Sequence, residues 1–196
     1  MSSAKQGVLD NIRKYTTHRE PHPDLASFKG IQYPDKVQQF TAISTAVGGR
    51  VVEVTPEQDL GALIKELYPE ATRFISDLDL GALNCTRPED AGDAVAMNGT
   101  DVTIVATPLG VCENGCCWVE QKGEWRAQLF IAENLVFILD RQNLVHNMHE
   151  AVAKVKSFNP QTPFSCFISG PSKTADIEQS LVMGAHGARG LTVLLR

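Results

Sequence analysis

The chain has 196 residues, 43% hydrophobic and 21% charged, a composition typical of one folded domain with a sizeable core. A net charge of −5 and an isoelectric point of about 5.5 exclude a broad cationic surface for nucleic acid or anionic membranes. No apolar run approaches the roughly 18 residues of a membrane helix, and the amphipathic start MSSAKQGVLDNIRKY lacks the apolar core of a secretory signal. We therefore expect a cytoplasmic protein without a membrane span.

The N-terminal part predicts a helix followed by an arm. Apolar residues recur at helical spacing over residues 3–18, and Pro21 and Pro23 then interrupt the pattern. This break divides the chain into an N-terminal helix and arm, residues 1–30, and an α/β domain, residues 31–196.

From residue 35 onward, helix and strand signals alternate. The first predicted elements are a helix at 35–47, a strand at 50–54, a helix capped at Thr55-Pro56 that ends near Tyr68, and a strand at 72–77. Such a strand–helix–strand order is typical of a parallel sheet covered on both faces.

The second half of the chain shows a different pattern. Residues 101–140 carry short strand signals split by turns, which predicts an antiparallel or mixed stretch of sheet. The elements predicted after it are a helix at 143–157, a strand at 164–170, a helix at 174–184 and a strand at 190–195. We predict a three-layer α/β/α sandwich with a mixed, largely parallel sheet.

A glycine turn before the predicted helix at 174–184 suggests an anion site. Free backbone N–H groups at a helix start attract anions, and Ser172, Lys173 and Thr174 would add a charge and hydroxyls. A capped helix without a ligand fits the same pattern. A second glycine-rich loop, GAHGARG at 184–190, holds His186. This histidine could face a ligand, or it could simply bridge the loop. The two loops share one cleft only if the strand directions bring them to the same edge.

Five cysteines raise the question of a metal or redox site. The three in GVCENGCCWV, Cys112, Cys116 and Cys117, lack a second ligand pair at zinc spacing. On a strand, Cys116 and Cys117 would point to opposite faces. We predict no metal and reduced thiols, with Cys85 and Cys166 packed as small apolar residues.

Between those cysteines lies Glu113-Asn114-Gly115, a turn sequence flanked by strands. If Glu113 is partly buried, its carboxylate could act as acid, base or nucleophile. An exposed turn glutamate is the simpler alternative.

Two further pairs of polar residues are weaker candidates. His146 and His149 share a face if both lie on the predicted helix. Such a pair can bind a metal, or it can simply belong to a solvent-exposed helix face. Asp77 and Asp79 follow a strand, where they could contact a ligand or cap a turn.

The stretch GPSKTADIEQSLVMGAHGARGLTVLL resembles the signature ending of the lactate-utilisation protein C family, or LUD domain family. The segment VCENGC stands where that family has an Ile-Ala-Glu-Thr-Gly-Thr-like sequence. The resemblance, over residues 35–196, implies a fold similar to the sugar-isomerase and coenzyme A transferase superfamily. It also implies a role in oxidising L-lactate to pyruvate, as an oxidoreductase subunit beside iron–sulfur partner proteins, with no cofactor on this chain and a small anionic ligand.

The resemblance also carries over site positions. The catalytic candidates are Glu113 and His186, and the ligand-binding candidates are Gly115, Gly170, Ser172, Thr174, Asp176, Glu178, Gly184 and Gly187. Lys173 is a further ligand-binding candidate because of its charge, without a match to the family. The chain departs from the family at Asn114 and Cys116, where threonines are common, at Lys173, where arginine is common, and at Ala188, where proline is common. Two alternatives stay open: a stand-alone enzyme on an acyl-thioester or phosphorylated sugar with Glu113 as nucleophile or base, and a regulatory ligand-binding module.

Overall fold

The protein is seen here as a computed structural model that describes residues 2–17, 20–21, 23–158, 164–177 and 180–196. The helices within these residues are α1 (Ser2–Tyr15), α2 (Lys36–Ala46), α3 (Leu60–Leu67) and α4 (Met148–Ser157). The strands are β1 (Arg50–Glu53), β2 (Phe74–Ile75), β3 (Val102–Thr107), β4 (Leu109–Val111), β5 (Cys116–Glu120), β6 (Asn134–Leu139), β7 (Leu144–Val145), β8 (Ser165–Ser169), β9 (Lys173–Ile177), β10 (Ser180–Met183) and β11 (Gly190–Leu195).

The centre of the fold is a five-stranded sheet in the order β1-β11-β6-β3-β2, in which all neighbours run parallel. Alternate side chains of β6 pack into two separate hydrophobic cores, one on each face of the sheet. Phe137 packs with Phe40 of α2 on one face, and Val136 packs with Ile64 of α3 on the other. The predicted three-layer α/β fold with a largely parallel sheet is confirmed.

The antiparallel portion forms a sheet of its own, in the order β7-β4-β5-β8. Strand β5 runs antiparallel to both β4 and β8, while β4 and β7 are parallel. One face of this sheet, with Cys117 and Val119, joins the core on the α2 side of the central sheet. The other face, with Cys116 and Trp118, is covered by Ala151 of α4. Strand β8 is therefore not part of the parallel sheet.

Two predicted helix starts are wrong, because other residues supply the caps. The α3 helix starts after Asp59, whose Oδ1 accepts a hydrogen bond from Ala62 N at 3.0 Å, whereas Thr55 lies in the preceding turn. The α4 helix starts after Asn147, because Leu144 is drawn into strand pairing with β4.

The predicted helix at 174–184 is also wrong. The chain forms a hairpin there, with β9 antiparallel to β10 and Val182 paired with Thr174. Pairing between the strands supplies local partners for backbone groups, and short stretches that mix polar and apolar residues do not distinguish helix from strand reliably.

The arm joins the body, but helix α1 leaves its apolar side chains exposed. Val8, Ile12 and Tyr15 are all exposed, Tyr15 to 78%. The ring of Phe28, in the arm, has its centroid 4.3 Å from that of the His149 ring. Just after the arm, the backbone N–H of Tyr33 donates to His146 Nδ1 at 3.0 Å. Across the described residues, no helix has the length and apolar character to cross a membrane.

Candidate functional site

The two glycine-rich loops meet in one cleft of about 280 Å³. The backbone of Ser172 joins them, because its N–H donates to Ala188 O at 2.8 Å and its carbonyl accepts from Gly184 N at 2.9 Å. His186 and Gly187 line the cleft together with the turn at Gly170. The structure therefore answers the question of the shared cleft, which strand directions alone left open.

The cleft lies at the amino edge of the central sheet because β8 belongs to the second sheet. Strand β8 ends beside the loop that enters β11, and this places Gly170 next to the starts of β6 and β11. Apolar side chains form the floor: Leu129, Phe130, Leu135, Phe167 and Ile168. The polar rim comprises Ser169, Ser172 and His186. An apolar floor with a few polar groups is typical of a small-molecule site.

Two glycines of the predicted site allow close contact with α2. Gly170 has φ +63°, and a Cβ there would lie 2.6 Å from Val47 O. Gly115 has φ +68°, and a Cβ there would lie 3.1 Å from Ser44 Cα. Both turns rest on the end of α2, so packing explains both glycines.

Gly187 lies where the two loops of the cleft approach each other closely. A Cβ at this position would lie 3.2 Å from Ser172 Cβ and would point into the space between the loops. Gly184 ends the hairpin at positive φ, where its N–H bonds to Ser172. These two positions shape the site through the backbone.

The residues after Ser172 leave the cleft along β9. Lys173 Nζ donates to Val47 O, at the end of α2, where cationic side chains are favourable. Thr174 and Asp176 lie on β9, and Glu178 lies outside the described residues. The predicted anion site on helical N–H groups is wrong, because no helix begins at residue 174.

Glu113 lies outside the cleft. Its side chain is exposed, and Oε2 accepts a hydrogen bond from Met148 N at 2.8 Å at the start of α4. A carboxylate here complements the free N–H groups and the dipole of the helix. The neighbouring turn still touches the cleft region, because Ser169 Oγ donates to Asn114 O at 2.7 Å.

The cysteines pack as apolar residues. Cys116 and Cys117 enter different cores, so the prediction that they point to opposite faces is confirmed. Burial raises the pKa of Cys112 to about 11 and that of Cys116 to about 12, and it raises the pKa of Cys117 further. Metals bind the thiolate, which such pKa values disfavour. Among the residues that the structure describes, no cluster of histidine, cysteine and acidic side chains could hold a metal.

The weaker histidine and aspartate candidates have structural roles. The prediction that His146 and His149 share a helix face is wrong, because His146 precedes the start of α4, where its Nδ1 accepts a hydrogen bond from Tyr33 N. Asp79 Oδ1 accepts from Gly81 N at 3.1 Å, which is the turn cap considered above. Asp77 lies 4.0 Å from Lys122 Nζ.

Sequence reasoning missed the floor of the cleft. Leu129 and Phe130 come from a short 3-10 turn, Arg126–Leu129, and its end, between β5 and β6. The surrounding letters GEWRAQLFIA show neither clear helical nor strand periodicity, so only the assembled fold brings these side chains to the loops.

Comparison with known proteins identifies the family. Residues 89–195 match the sequence model of the LUD domain. Lactate utilization protein C of Oceanobacillus iheyensis is 27% identical over 128 residues, which cover 63% of this chain and 54% of that protein. The chain thus spans about half the length of that relative.

A second relative and a solved structure match more of the chain. An uncharacterized protein of Neisseria meningitidis serogroup B is 29% identical over 216 residues, covering 98% of this chain and 93% of that protein. The crystal structure of a DUF162 family protein from Deinococcus radiodurans aligns with a TM-score of 0.63 at 16% identity, covering 85% of this chain and 99% of that one. At this identity the crystal structure shows a shared fold.

Proposed function

We propose that this chain, which belongs to the LUD domain family, serves in lactate utilisation as a subunit of an L-lactate-oxidising complex. The names of relatives such as lactate utilization protein C support this role. In the proposed complex, iron–sulfur partner subunits accept the electrons, and this chain holds a small carboxylate in the cleft.

The observation that carries the proposal is the meeting of the two motif loops in one cleft. The Ser172 hydroxyl and the His186 ring can donate hydrogen bonds to a carboxylate, and the apolar floor of Leu129 and Leu135 suits a methyl group. The cleft volume of about 280 Å³ fits a small acid.

A binding experiment tests the role of the cleft. Titration of the purified chain with L-lactate and with pyruvate should give saturable binding. Ser172→Ala and His186→Gln should each weaken it about tenfold, the loss expected for one hydrogen bond of about 1.4 kcal/mol. Matched controls are Ser157→Ala and His149→Gln, at exposed positions on α4. Equal affinity in all four variants would refute carboxylate binding at this cleft.

The proposed complex needs a separate test. Capture of the native chain from a cell growing on lactate, followed by mass spectrometry, should recover iron–sulfur oxidoreductase subunits. Recovery of the chain alone, with full lactate-oxidising activity, would contradict the subunit role. The alternative enzyme with Glu113 as nucleophile is less well supported, because that carboxylate caps α4 outside the cleft.

A further inference from the structure

A second pocket lies at the opposite, carboxyl edge of the central sheet. Here β1, β11 and β6 end side by side, with Glu53 paired with Leu195 and Leu195 paired with Leu139. Beyond the strands, Arg196 N donates to Leu139 O at 3.0 Å and Arg141 N donates to Arg196 O at 2.8 Å. The pocket above these ends has a volume of about 630 Å³, against about 280 Å³ for the cleft.

The topology explains why a pocket forms here. After β1 the chain crosses to the face covered by α3, and after β6 it crosses to the face with β7 and α4. Strand β11 lies between β1 and β6 in the sheet. The two outgoing connections therefore diverge above β11 and leave a crevice. Open α/β sheets bind their ligands in such a crevice, at the carboxyl ends of the strands.

The walls of the pocket combine cationic, polar and apolar groups. Arg141 and Arg196 both line it, together with one acidic residue, Asp140, the polar Thr55 and Gln142, and the apolar pair Val54 and Pro56. Among the described residues, the guanidinium of Arg196 has no ion pair or hydrogen bond.

The second arginine is only loosely held. Arg141 Nη2 lies 3.6 Å from Glu53 Oε2, and both side chains are largely exposed. Exposed pairs of this kind add little stability, so an anionic ligand can displace Glu53 from Arg141. The nearby Asp140 carboxylate accepts from Gln142 N at 2.8 Å, which fixes the turn that carries Arg141.

The geometry points to a binding site for a phosphate-bearing small molecule at this carboxyl-edge pocket, between Arg141 and Arg196. Each planar guanidinium can hold phosphate oxygens through two parallel hydrogen bonds. The volume leaves room for an organic portion against Val54 and Pro56. This site is separate from the lactate cleft, because the two lie at opposite ends of the same parallel strands.

Inorganic pyrophosphate is the probe that tests the site. Calorimetric titration of the full chain at constant ionic strength should show saturable binding, and Arg196→Ala and Arg141→Ala should each weaken it at least tenfold. Arg13→Ala is the matched control, since Arg13 is an exposed arginine paired with Asp10 on α1, and it should leave the affinity unchanged. Absence of binding, or equal affinity in all these variants, would overturn the inference.

Two more variants sharpen the test. Glu53→Gln removes the competitor for Arg141 and should strengthen pyrophosphate binding several-fold, whereas an unchanged or weaker affinity would contradict the role of Arg141. His186→Gln should leave pyrophosphate binding intact while it weakens lactate binding. Loss of pyrophosphate binding in His186→Gln would place the phosphate in the cleft and overturn the second site.

Discussion

The two edges of the central sheet are built in different ways. At the amino edge, the cleft is made by two contiguous loops, around Gly170 and around His186, whose backbones bond to each other through Ser172. At the carboxyl edge, the pocket is made by short segments that follow three separate strands: residues 54–56 after β1, residues 140–142 after β6, and Arg196 after β11. The first arrangement leaves a readable motif in the sequence, and the second leaves none.

This difference teaches where sequence motifs are informative. A loop that needs positive φ or close backbone approach requires glycine at fixed positions, so the amino edge shows as GPS and GAHG. A pocket assembled across parallel strands needs only suitable side chains at distant points. Its position follows from strand order, which the letters do not show.

Among the substitutions considered, Gly170→Ala should cause the largest loss of stability, through the turn at the amino edge of the sheet. The substitution forces a side chain into positive φ and against Val47 O, so we expect a loss of about 2–3 kcal/mol in the free energy of unfolding. Gly81→Ala is the matched control, because Gly81 has the same φ of +63° with no atom within 4 Å, and it should cost about 1 kcal/mol. Urea denaturation measures both, and equal losses would show that contact with α2 is unimportant.

Asp101→Asn should weaken the amino edge by a smaller amount. Asp101 Oδ2 accepts from Thr72 N at 2.7 Å and from Arg73 N at 2.8 Å, which ties the starts of β2 and β3 together. These backbone hydrogen bonds hold the pKa of Asp101 below its usual value of 3.8, and the bond from Thr72 N has the largest effect. The loss at neutral pH should be about 1–2 kcal/mol.

The pH dependence of that effect follows from the direction of the shift. Because the folded pKa lies below the unfolded value, the stabilisation is fully present above about pH 4 and is lost as the pH falls through the folded pKa. Asp101→Asn should therefore remove part of the acid-induced loss of stability seen in the parent. Thermal unfolding between pH 2 and pH 7 checks this, with the exposed Asp90→Asn as control. An identical acid profile in parent and Asp101→Asn would contradict the assignment.

Glu113→Gln should leave both edges intact. Loss of the charge beside Met148 N should cost about 0.5–1 kcal/mol, the usual size of a helix-terminus charge effect. Affinity for lactate and for pyrophosphate should not change, and the exposed Glu57→Gln gives the baseline. If Glu113→Gln instead abolished turnover in a folded protein, the acyl-thioester alternative would replace the lactate role.

The smallest expected effect concerns the thiols. Their raised pKa values predict that Cys112, Cys116 and Cys117 do not react with a thiol reagent at pH 8 in the folded chain, and that they react fully after denaturation. Zinc should not raise the melting temperature. Fast labelling of any of these three thiols in the folded chain, or stabilisation of the chain by zinc, would restore a metal or redox site as the interpretation.

The parts of the fold that the sequence predicted are those with strong local signals. The α2 helix has the Asp35 cap at its start, and β11 is a continuous apolar run. The hairpin at 173–183 was missed because its letters fit a helix equally well, and strand pairing decided the outcome. For Glu113, the residues of the Asn-Gly turn predict the turn itself, but they do not predict that the carboxylate faces the start of α4.

Two turns pack on the carboxyl end of α2, and this packing couples their motions. Gly115 packs on Ser44 of α2 and Gly170 packs on Val47, the residue that caps the carboxyl end of the same helix. Ser169 Oγ also donates a hydrogen bond to Asn114 O and so connects the two turns directly. A shift of the Asn114 turn would therefore change the contacts of the Gly170 turn, and we expect the two turns to move together. Tightening the cleft should slow hydrogen exchange in the Asn114 turn and, through Glu113, at the first turn of α4.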